Sequence, residues 1–95
     1  MPKENDLMRY VILDGRTIKD MDEVHGVFAE ALDLPDYYGR NLDALHDCLT
    51  EQAGEITVVI LESELMSAAL GDKFSRLLML LSDVLEERDG FSVYI

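Results

Sequence analysis

The chain has 95 residues, with twenty Asp and Glu against eight Lys and Arg, a formal charge of −12 and a pI near 4.2. That length makes one domain around one core, and 48 % apolar with 29 % charged residues excludes a disordered chain. Direct nucleic-acid binding through a basic stripe is excluded too, and a cationic partner is the better expectation.

Residues 1–8 are polar, lack periodicity and read as a flexible tail, leaving 9–95 as the single domain; Met8 is a second candidate for the native start. Tyr10-Val11-Ile12-Leu13, closed by Asp14-Gly15, reads as a strand. Asp20 then caps a helix, Glu23 completes a capping box, and Met21, Val24, Val27, Phe28, Ala31 and Leu32 recur at helical spacing. Pro35 ends that stretch, and Leu34 to Arg40 is a loop. A second helix runs from about Asn41 to Glu51, with Leu42, Leu45, Cys48 and Leu49 on its inner face. Ile56 to Leu61 is β-branched without polar alternation, which predicts a strand covered on both faces. A short helix over Ser63 to Leu70 ends at Gly71, and Asp72 caps a long helix carrying Phe74, Leu77, Leu78, Leu81, Val84 and Leu85. Asp89-Gly90 breaks it, and Phe91 to Ile95 forms the third strand. This alternation predicts a small α/β domain, a three-stranded parallel sheet flanked by four helices with the first strand central.

The second helix carries an unusual column. Asp43, Asp47 and Glu51 stand four residues apart, so they are surface neighbours that repel by about 0.2–0.5 kcal/mol per pair. Asp43 is favoured by the helix dipole, whereas Glu51 sits near its negative end. No Lys or Arg inside the helix offsets the column, and Arg40 reaches only Asp43. Such runs are most often solvated faces, but Tyr37 and Tyr38 precede this one directly, between Pro35 and Gly39. Rigid aromatics beside charged anchors compose a recognition surface, with one of the two rings expected to tuck under the loop.

The run Leu34-Pro35-Asp36-Tyr37-Tyr38-Gly39-Arg40-Asn41-Leu42-Asp43-Ala44-Leu45-His46-Asp47-Cys48-Leu49 closely resembles the signature of the barstar family, intracellular inhibitors of the ribonuclease barnase. The similarity extends more weakly over 9–95. The resemblance implies three parallel strands and four helices. It also implies that Asp47 enters the nuclease's phosphate-binding pocket, that Asp43 meets its basic rim, and that Tyr37 stacks on its catalytic histidine. Thr50 falls at a minor contact position, and Asp83 aligns with a further acid on the last long helix. Tyr38, Asn41, His46 and Glu51 complete the expected partner-binding set. The implied mechanism is mimicry of an RNA phosphate by a carboxylate, as in a toxin's immunity protein. Two departures stand out. His46 replaces a family aromatic, commonly tryptophan, and Glu51-Gln52-Ala53-Gly54 replaces a segment with a glycine and a second tryptophan. His46 opens a route to pH-dependent binding, since histidine titrates near neutrality.

Two other readings use the same residues. Asp43, His46 and Asp47 have the donor types of a hydrolytic metal site, but no third segment supplies a ligand, and no phosphate loop or Ser/His/Asp arrangement is visible. His25, in the first helix, covers its core. An acidic immunity protein for another basic partner, such as a DNA-acting nuclease, is the non-catalytic alternative. The expectations are therefore a non-enzyme without cofactor or metal. Cys48, beside Leu45 and Leu49, is expected to be an inert thiol. A lone cysteine, no visible secretory signal and no long apolar run point to a cytoplasmic, membrane-free setting, and the charge to a monomer when free.

Overall fold

The computed structural model describes residues 8–95. Its elements in chain order are β1 (Met8–Asp14), α1 (Met21–Ala31), α2 (Leu42–Glu51), β2 (Glu55–Leu61), α3 (Ser63–Leu70), α4 (Asp72–Glu87) and β3 (Phe91–Tyr94). The proposed tail lies outside the described residues except for Met8, which opens β1 opposite Glu55. Both strand pairings are parallel, and the order is β1-β2-β3. The central strand is therefore β2, and not the first strand as the sequence pattern suggests. Each crossover advances one strand in the same direction. Two right-handed crossovers running the same way place their helices on one face, whereas a central first strand would have put them on both.

That topology explains the burial pattern. Val11 and Leu13, Ile56, Val58 and Ile60, and Phe91 point inward and are buried. They join Val24, Phe28, Leu45, Leu49, Met66, Leu77, Leu81 and Val84 from the helices in one core. The opposite face stays open, with Tyr10 56 % and Tyr94 63 % exposed. The expectation that β2 is covered on both faces therefore fails. Thr57 and Val59 are only half-buried, shaded by the two flanking strands rather than by a second helical layer.

The helix entrances follow from local chemistry. Asp20 accepts from the Glu23 amide at 2.9 Å, and Glu23 reaches back to the Lys19 amide at 3.0 Å, one residue earlier than in the usual box. Asn41 caps α2 by accepting from the Ala44 amide at 2.8 Å. Asp72 is the first residue of α4 rather than its cap. Gly71, at φ +59°, ends α3 and begins α4 at once, a backbone position that favours glycine. No helix among the described residues is long and apolar enough to cross a membrane.

Candidate functional site

The loop before α2 separates its two tyrosines. Tyr37 is 88 % exposed, whereas Tyr38 is only 8 % exposed and turned into the core. The Tyr38 hydroxyl and Nδ1 of buried His25 are hydrogen-bonded at 2.6 Å, with the rings edge to face. Burial, reinforced by the Arg40 guanidinium, pushes the His25 pKa down, and burial pushes the Tyr38 phenol up. A phenol that donates to a neutral imidazole keeps both uncharged in the core. Tyr38 thus holds the loop down from beneath, and Tyr37 is the ring left exposed to solvent.

Arg40 does not reach Asp43. Its Nε donates to the Asp22 carboxylate of α1 at 2.9 Å and its Nη2 to the Asp22 carbonyl at 2.7 Å. The loop is thereby tied to α1, and the acid column is left to itself. Asp43, Asp47 and Glu51 are all exposed, and no Lys or Arg among the described residues pairs with them. The Asp47 side chain is 74 % exposed, and its nearest positive candidate is Nδ1 of His46 at 3.7 Å.

Helix α2 packs against α4, which brings residues distant in sequence to the column. Leu42, Asp43 and His46 face Arg76, Met79, Leu80 and Asp83 across a shallow groove of about 290 Å³. Asp83 therefore shares one surface with Asp43. His46 Nε2 donates to Glu87 at 2.6 Å, and this carboxylate raises the pKa of the imidazole, with Asp47 adding to the effect. The Thr50 hydroxyl donates back to the His46 and Asp47 carbonyls at 3.0 and 3.1 Å, so it is half-spent within its own helix. Asn41 is engaged as the cap. Cys48 is half-buried, and burial followed by Glu51 and Asp47 raises its thiol pKa, which keeps it protonated. Among the described residues no three His, Cys, Asp or Glu converge to hold a metal ion.

Two participants are not readable from the sequence. Glu87 lies 41 positions from His46, and no local pattern links them. Arg88, just after α4, donates to the Leu49, Gln52 and Gly54 carbonyls at 2.9, 2.7 and 2.5 Å. It sets a cation at the negative end of α2, where Glu51 stands and no basic residue of the helix itself is found.

The three-stranded parallel sheet and the exposed acid column on α2, beside Tyr37, define a small acidic α/β domain. This chain is a member of the barstar family, whose family model matches residues 8–95. Members of that family are inhibitors and not enzymes. The chain is also 39 % identical over 90 residues to a Bacillus subtilis (strain 168) protein named "Putative ribonuclease inhibitor YrdF", covering 93 % of this chain and 99 % of that protein.

Proposed function

We propose that this chain is a non-catalytic inhibitor that binds a basic, barnase-type ribonuclease and occludes its active site, with Asp47 in the place of an RNA phosphate. The observation that carries the reading is the exposed column of Asp43, Asp47 and Glu51 on α2, which makes no salt bridge to a Lys or Arg among the described residues, with Tyr37 at its head. Such a column weakens its own helix, and a partner's arginine and lysine side chains would relieve the repulsion. Asp47 is the anchor at the centre of the face. Asp43 and Asp83 meet the basic rim, and Tyr37 contributes a rigid aromatic contact. Tyr38 and Asn41 support this surface from behind, and Thr50 and Glu51 lie at its margin. The domain acts alone in the cytoplasm, as a monomer until it meets its toxin-like target, and needs no cofactor.

Stopped-flow association with barnase across a salt series tests the reading. Association should be electrostatically steered, near 10⁸ M⁻¹s⁻¹ or faster at low salt as a general order of magnitude, and should slow steeply as salt screens the column. A slow, salt-independent association would contradict a column that serves to capture a basic enzyme.

A further inference from the structure

His46 stands on α2 beside the proposed anchor, and its ring is tied to α4. Nε2 lies 2.6 and 3.1 Å from the two Glu87 carboxylate oxygens. An ionised carboxylate only accepts, so this contact fixes a proton on Nε2 and leaves Nδ1 as the nitrogen that titrates. Nδ1 in turn lies 3.7 Å from Oδ1 of Asp47. The charged groups around the ring are Asp43 and Asp47 from α2, and Arg76, Asp83 and Glu87 from α4. Glu87 therefore positions the ring so that its exchangeable proton sits beside the carboxylate a partner must capture.

We propose that His46, positioned by Glu87, is a proton-operated brake on Asp47 that makes capture of a basic partner stronger as the pH rises. With the proton on Nδ1, the imidazolium draws the Asp47 carboxylate toward itself and adds a positive charge to a face built for cations. Without it, Asp47 is free to meet a partner's cations, and a neutral ring remains at the interface. Complex formation then expels one proton from Nδ1 to solvent. By linkage, a proton released on binding raises affinity with pH by at most about tenfold per unit. The Glu87 contact holds the free protein's imidazole above its ordinary value of 6.5, so the slope begins above that pH and extends to the acid side.

This inference rests on the inhibitor reading, and one experiment separates the two. Kd for barnase is measured from pH 5.5 to 8.5 with the wild type, His46→Asn and Glu87→Gln, each checked for folding by circular dichroism. The ratio of wild-type to His46→Asn Kd cancels the titration of barnase itself. It should fall about three- to tenfold per pH unit at its steepest, in line with release of up to one proton. In Glu87→Gln the break should move to lower pH, and the His46 ring resonances of the free protein should titrate at lower pH by the same displacement. A flat or rising ratio with inhibition intact overturns the brake and leaves the inhibitor reading standing. No inhibition at any pH overturns both.

Discussion

Replacing Arg88 by alanine should destabilise the domain far more than an exposed charge at a helix end would suggest. One guanidinium gathers three backbone carbonyls from the end of α2 and the turn into β2, and its Nε also donates to the Asp89 carbonyl at 2.8 Å. Hydrogen bonds to a charged donor contribute about 1.5–3 kcal/mol each when well buried. The three to α2 and its exit are only part-buried, so about 0.5–1 kcal/mol apiece is the fitting scale. Losing the cation at the α2 C-terminus costs about 0.3–1 kcal/mol more. The expected destabilisation is therefore about 2–4 kcal/mol, a drop of roughly 10–20 °C in Tm for a domain of this size. Urea unfolding followed by circular dichroism measures it, with the m-value unchanged if only native contacts are lost. Arg88→Lys should recover less than half, because one ammonium cannot span three carbonyls in a planar fork. A loss below about 0.5 kcal/mol, or full rescue by lysine, would refute the clamp.

Other consequences are equally open to measurement. A Cβ at Gly15 would press on the Glu62 carbonyl and come within 2.9 Å of the Met66 nitrogen, so Gly15→Ala should cost about 1–3 kcal/mol in urea unfolding; an unchanged midpoint would mean that β1 and α3 do not meet this closely. Because burial depresses the His25 pKa, the unfolded chain binds the extra proton, and this group's contribution is complete above its ordinary pKa of 6.5 and lost as pH falls through its folded value. His46, whose pKa is raised, acts in the opposite sense: its contribution is present below 6.5 and lost as pH rises through its folded value. In a His46→Asn background, urea midpoints should thus decline as pH falls below 6.5, and a flat profile would contradict a neutral, core-bound His25. Asp47→Asn removes repulsion from Asp43 and Glu51 and should stabilise the free protein by a few tenths of a kcal/mol, about the scale of such helix pairs, a change visible in Tm; destabilisation would show that Asp47 serves the fold.

What is legible in the sequence is local. Asn41, the loop tyrosines and the four-residue spacing of the acids lie within one stretch of chain, and helical geometry alone puts the three acids on one surface. The sequence predicts that one of Tyr37 and Tyr38 tucks inward, but which ring does so depends on His25, thirteen positions upstream. Strand order is not legible, because a β-branched run in β2 is explained equally by helices above and below or by strands on either side. The open sheet face follows from the crossover directions, which no residue pattern records. Glu87 and Arg88 escape notice for a similar reason: their partners on α2 and its exit become neighbours only when α4 packs against that helix.

The central claim is tested most directly by RNA cleavage by barnase with increasing amounts of this protein and of its Asp47→Ala variant. Stoichiometric suppression by the wild type is expected, with the variant's binding weakened by about 2–5 kcal/mol, a general range for truncated buried charge pairs that itself draws on the barnase–barstar pair. Undiminished inhibition by the variant would remove Asp47 from the anchor position, and folded wild-type protein that leaves cleavage untouched would contradict the account of barnase-type inhibition.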